Sequence, residues 1–330
     1  MTDKEEHMDE KHPKINLNDL DKGLIRFCLE CGKMNPNVKS ALPKRDPADY
    51  KWLRMVYDSI EDDAKHMARL LTDVVHYIAL EDEKKDEDAQ EKVIDTLEEL
   101  YDLVENIENA NDLITLGGVP ALLDLLRDSS RPRVCAESCG VVSAIMANNP
   151  HGQNALFQAG ALSFIFSALR TFQKQAEGKP EGDEFVQAEA RAINAVSALV
   201  RQMPEAQKQF IDDGGMVLLR NALETPSSTL RLRAASALWR FSTTKENVTV
   251  LVREGFVHRL LTILTSLDHS INDSLREAAA NVLAQAAQFP DAKAIITLQK
   301  EDINAVYIHV EKIDPQSPYA DFLRLLLSRI

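Results

Sequence analysis

The sequence predicts an all-α chain built as a stack of helical repeats. Three observations carry that reading. The first is composition: 330 residues hold only 12 glycines and 13 prolines, with 6% aromatics and 45% hydrophobics, a profile poor in the turn formers and aromatic residues of β-rich folds. The second is a glycine, preceded by polar or small residues and followed by an apolar run, that recurs four times. The third is an alanine opening a further helical run after each of those glycines.

The glycine segments are ITLGGVPALLDLL, FQAGALSFIFSAL, IDDGGMVLLRNAL and VREGFVHRLLTIL. Their anchors, Gly118, Gly160, Gly215 and Gly255, stand 42, 55 and 40 residues apart. The alanine anchors are Ala136, Ala192, Ala234 and Ala278, and small residues follow three positions on at Cys139, Ala195 and Ala237, with Asn281 the exception. Small side chains on one stripe let neighbouring helices approach closely. A period near 42 with a short helix, a glycine and two longer helices is the armadillo/HEAT pattern. The sequence therefore predicts a right-handed α-solenoid of four full repeats with helical caps. Each unit exposes an apolar face that only the next unit can cover.

Taken in order, residues 1–47 are charged, and no fixed fold is expected there apart from an amphipathic stretch at Leu20–Leu29. Residues 48–108 carry capping helices, including an apolar stripe of Val93, Ile94, Leu97, Leu100, Tyr101 and Val104. Residues 109–290 are the repeats, and residues 291–330 are C-terminal capping helices. Short first helices are expected at Asn154–Gln158 and Gln207–Ile211. Repeat two holds extra residues between its anchors, and TFQKQAEGKPEGDEF (Thr171–Phe185), with Gly178, Pro180 and Gly182, reads as the loop that absorbs them.

The charge balance excludes several functions. Lys+Arg 38 against Asp+Glu 52 gives a net charge of −14, which opposes binding to nucleic acid or to an anionic membrane surface. The N-terminus has no apolar core of a signal peptide, and no window reaches a membrane span. Cytoplasmic residence and a monomer are expected. Cys28-Leu-Glu-Cys31 is a lone CxxC, and Cys135 and Cys139 sit on a helical face, so neither a disulfide framework nor a metal site is expected. Nucleotide-binding glycine loops, HExxH and GxSxG are all missing. The chain reads as a binding protein rather than an enzyme, with no cofactor.

Against this frame the stretch ENIENAND (Glu105–Asp112) resembles the Glu-Asn-hydrophobic-Asp-Asn-Ala segment of the Hsp70-binding protein 1 family, the armadillo-type nucleotide exchange factors of Hsp70. Here Glu108 stands where the family usually has Asp. WLRMVYDSI (Trp52–Ile60), RAINAVSALVR (Arg191–Arg201) and LRLRAASAL (Leu230–Leu238) are similar to family helices in the same order, and LDKGLIRFCLE (Leu20–Glu30) is similar to the N-terminal segment of some members.

The resemblance implies a co-chaperone whose concave face grips lobe II of the nucleotide-binding domain of cytosolic Hsp70 and accelerates ADP release, promoting client release. It implies partner contacts at Glu105, Asn106, Asn109, Ala110, Asn111, Arg191 and Arg233, with Arg201 and Arg240 as secondary candidates. Leu20, Leu24, Ile25 and Phe27 are expected to mimic a client in the Hsp70 substrate groove. For Asn109 and Asn111 a helix-capping role is the competing expectation. The competing function is a generic armadillo scaffold binding an extended peptide. It is disfavoured because the chain has only Trp52 and Trp239 and therefore no tryptophan ladder.

Overall fold

In a computed structural model, residues 63–266 and 271–330 are described. They fall in one compact unit spanning Glu61–Ile330. The segment 1–47 with Leu20, Leu24, Ile25 and Phe27, the Cys28/Cys31 pair and the Trp52 helix lie outside the described residues. Those that are described form α-helices and short 3-10 turns without strands.

Two helices, α1 (Asp63–Ala79) and α2 (Glu87–Val104), start the stack. Repeat one follows as α3 (Ile107–Thr115), α4 (Gly118–Leu125) and α5 (Pro132–Met146). Repeat two is α6 (Pro150–Gln158), α7 (Ala161–Ala176) and α8 (Glu184–Leu199). Repeat three is α9 (Pro204–Asp212), α10 (Gly215–Glu224) and α11 (Ser228–Leu238). Repeat four is α12 (Lys245–Arg253), α13 (Phe256–Thr265) and α14 (Asp273–Ala286). Residues 291–330, read as a cap, complete a fifth unit of the same short-long-long pattern: α15 (Pro290–Thr297), α16 (Lys300–Ile313) and α17 (Pro318–Arg329).

Local chemistry sets the helix starts. Asp86, Asn106, Asn149, Asp183, Ser227, Thr244, Asn272 and Ser317 each accept a hydrogen bond from an N–H of the helix they precede, which satisfies donors that the helix itself leaves open. Proline opens α6 and α9, where its missing N–H costs nothing. Both short helices thus begin earlier than expected.

The glycine register also shifts. The left-handed residues are Gly117, Gly160, Gly214 and Gly255, with φ between 79° and 85°. In the two Gly-Gly repeats, Gly118 and Gly215 are instead the first helical residue, and their role is close approach. A Cβ on Gly215 would lie 2.3 Å from the Phe210 ring, and Phe210 is fully buried against Phe241.

Third helices pack on third helices along the stack, α2 on α5, α5 on α8, α8 on α11, α11 on α14 and α14 on α17. Their small stripe makes this possible: Ala192, Ala195, Ala234, Ala237 and Cys139 are all fully buried. In repeat four the buried small residues are Ala279 and Ala280, and Ala278 is only half-buried. The expected loop at Thr171–Phe185 is shorter than the sequence suggested. Helix α7 runs on through Ala176 because Phe172 and Ala176, four apart, bury on one face. Only residues 177–183 remain non-helical, broken by Gly178 at φ 73° and Pro180.

Candidate functional site

Two regions hold the residues singled out from the sequence: the α2–α3 junction and the third-helix ridge of α8 and α11. At the junction, Glu105 ends α2 and its side chain is exposed. Asn106, rather than Asn109 or Asn111, caps α3; its Oδ1 accepts from the Glu108 N–H at 2.8 Å. Asn109 donates through Nδ2 to the Leu103 carbonyl at 3.0 Å and to Asp63 Oδ2 at 2.9 Å. It ties α3 to the end of α2 and the start of α1. Asn111 Oδ1 accepts from Asn149 Nδ2 at 3.0 Å, and Asn149, buried, caps α6 through the Gly152 N–H. Asn109 and Asn111 thus fasten α3 to the helices before and after it.

Ala110 is a correction. It is 1% exposed, because the turn of α3 points Ala110 and Leu113 inward. A partner on this surface does not reach its methyl. The fourth residue of α6 and of α9 explains the small size. There Gln153 donates to the carbonyls of Ala198 and Arg201, and Gln207 to those of Val200 and Arg240. The fourth residue of α3 is Ala110, whose position is closed by apolar packing instead. Those two glutamines hold the ends of α8 and α11 in place, and the sequence reading missed them because, Val200 apart, their partners lie more than thirty residues away.

On the ridge, Arg191 lies across from Glu137 at 3.6 Å, its side chain 43% exposed. Arg233 is exposed on α11 and makes no ion pair or hydrogen bond among the described residues. The Arg201 side chain, half-buried, likewise makes none among the described residues. Arg240 stacks on Trp239 with its guanidinium 4.6 Å from the ring centre and reaches only Ser197 Oγ, at 3.4 Å through Nε. Several other arginines find carboxylates: Arg133 pairs with Glu91, Arg220 with Glu254 and Arg259 with Glu224. In a chain of net charge −14, Arg201, Arg233 and Arg240, without acidic partners among the described residues, are conspicuous by chemistry.

Two further features were not legible in sequence. Glu181, beyond α7, accepts from the Ser228 and Thr229 N–H groups and the Ser228 hydroxyl at 2.8–3.1 Å. Hydrogen bonds from Thr229 and Ser228 hold its carboxyl down to about 2, against the opposing effect of burial. A cleft of about 490 Å³ beside it is lined by Lys174, Glu189, Asn221 and Ser227 among others. Glu189 is buried there with Gln173 donating to it at 3.0 Å, and burial raises its carboxyl above the usual range. Cys135 and Cys139 are buried free thiols; burial pushes Cys139 up to about 12, which leaves it unreactive. Among the described residues no group of His, Cys, Asp or Glu is arranged to hold a metal, and no single helix is long and apolar enough to cross a membrane.

The sequence model of the SIL1/FES1/HPBP1 C-terminal domain matches residues 109–254. That segment runs from α3 to the end of α12 and contains both regions except Glu105 and Asn106. The nucleotide exchange factor SIL1 of Xenopus laevis is 29% identical over 144 residues, 42% of this chain and 29% of that protein. The Hsp70 nucleotide exchange factor FES1 of Candida glabrata is 24% identical over 206 residues, 60% of this chain and 67% of that one. The match thus spans less than a third of the SIL1 relative. A designed armadillo repeat protein superposes with a TM-score of 0.61 at 17% identity, covering 80% of this chain and 99% of the design, which establishes the fold alone. Residues 109–254 of this armadillo-type α-solenoid are thus similar to the C-terminal domain of the SIL1/FES1/HPBP1 proteins.

Proposed function

We propose that the chain is a co-chaperone that binds the nucleotide-binding domain of a cytosolic Hsp70 at lobe II and accelerates release of ADP. The observation that carries the reading is a coincidence of place. The segment matching a domain of nucleotide exchange factors is the one that bears Arg233 on α11 and Arg201 just beyond α8, neither with an acidic partner among the described residues. The protein acts by binding, without a reaction of its own. To release ADP it must bind the open, nucleotide-poor domain more tightly than the closed one. By reciprocity, nucleotide then weakens its grip by the same factor.

On this reading Glu105, Asn106, Arg191 and Arg233 meet the partner, while Asn109 and Asn111 hold the surface in shape from within. The free buried thiols are in keeping with a reducing compartment. The segment containing Leu20, Leu24, Ile25 and Phe27 occupies the Hsp70 substrate groove, so removing residues 1–47 slows client release and spares ADP release.

Titration calorimetry with the isolated Hsp70 nucleotide-binding domain tests the proposal. Binding to the nucleotide-free domain, weakened by ADP, is expected. Binding only to extended peptides would instead make the chain a peptide scaffold.

A further inference from the structure

Arg201 and Arg240 follow the ends of α8 and α11. Gln207 fixes their spacing: its single amide nitrogen donates to the Val200 carbonyl at 2.9 Å and to the Arg240 carbonyl at 3.1 Å. The end of α8 and the end of α11 are therefore clamped side by side, and Gln153 holds the Arg201 carbonyl from the other direction at 2.9 Å. The Arg240 guanidinium lies over the Trp239 ring, 4.6 Å from its centre, and reaches back to Ser197 of α8, one turn before Arg201. Neither side chain has a carboxylate partner among the described residues. Burial, followed by the charge of Arg201, pulls Arg240 below its usual pKa.

Two like charges clamped together oppose folding. A carboxylate accepts from guanidinium groups in a planar, two-pronged geometry that lysine does not match. An arginine already placed over an indole loses little freedom when it binds. We infer that Arg201 and Arg240 together seat a side-chain carboxylate of the Hsp70 nucleotide-binding domain, at a point separate from Arg233. The inference rests on the proposed Hsp70 reading. The feature is specific to repeats two and three, since the corresponding ends of α5 and α14 carry Ala147 and Gln288.

The test uses the full chain and the Hsp70 nucleotide-binding domain, with Arg201→Gln, Arg240→Gln, the double variant, and Arg170→Gln on the exposed side of α7 as a charge-matched control. Each single variant is expected to bind at least tenfold more weakly, and Arg170→Gln as wild type. The double variant should lose less than the product of the single losses, because both groups hold one anion. The free Arg201→Gln protein should melt at or above the wild-type temperature, since a like-charge contact is removed. A folded Arg201→Gln protein that binds as tightly as wild type would overturn the inference, as would a melting temperature that falls in step with affinity. Failure of the wild-type chain to bind the domain would overturn the Hsp70 reading and this inference together. Arg240→Lys, which keeps the charge but loses the fork, should weaken binding while remaining folded.

Discussion

The α2–α3 junction and the α8–α11 ridge are both rich in polar side chains, yet they treat them in opposite ways. At the junction each asparagine finishes a hydrogen bond inside the protein, to Glu108, Leu103, Asp63 or Asn149. On the ridge and just beyond its helices, Arg201, Arg233 and Arg240 stand without acidic partners among the described residues, although carboxylates are in excess over the whole chain. A polar group whose bonding is complete within the fold serves the fold. One positioned by the backbone but left without its complement is available to a partner. Residue type alone, Asn or Arg, does not separate the two cases.

The sharpest way to break this contrast is Ala110→Arg. On a surface it would be harmless to the fold. Here a guanidinium enters a site that is 1% exposed, and an uncompensated buried charge costs about 4 kcal/mol or more. A large fall in melting temperature by circular dichroism is expected. A variant that melts like wild type and loses only Hsp70 binding would return Ala110 to the interface.

Arg233→Ala probes the other side of the comparison. Its fold should be untouched, within about 0.5 kcal/mol. Binding should weaken by about 2 kcal/mol, roughly thirtyfold. Calorimetry against the Hsp70 nucleotide-binding domain reads both parameters on one sample, and equal affinity for the folded variant would remove Arg233 from the site.

Smaller effects sharpen the contrast. Glu181→Gln weakens the cap on α11 and should cost about 1 kcal/mol at neutral pH. Its folded pKa is lowered, from 4.5 to about 2, so the carboxylate stabilises fully above the unfolded value and loses that contribution as pH falls through the folded one. The gap between wild-type and variant melting temperatures should therefore close between those values, and a gap that is constant with pH would remove the carboxylate from the account. Deleting Gln175–Gly182 should lower stability further, since it takes away Glu181 and the last residues of α7 together. Asn109→Ala should cost about 1 kcal/mol with little change in affinity, and a binding loss without a stability loss would make Asn109 a contact residue.

Much of this was legible in the sequence, for physical reasons. The repeat period survives because each unit must bury the same face, which fixes Ala192, Ala195, Ala234 and Ala237 as small residues. Which glycine of a pair takes positive φ was not legible, since Gly117 and Gly118 look alike until Leu113 fills the space beside the second. The extra turns of α7 hid behind Gly178, Pro180 and Gly182, which mark where the helix stops and not how far it runs. Ala110 misled because a small residue suits both a core and a close contact. Glu181 on Ser228, and Gln207 on Arg240, join residues far apart in the chain and have no local signature.

The measurement that bears most directly on the central claim is the rate of labelled-ADP release from Hsp70, taken alone, with this protein, and with folded Arg233→Ala. The account predicts acceleration by the wild-type chain and little or none by the variant. Release that the wild-type chain does not accelerate, or that both proteins accelerate equally, would contradict it.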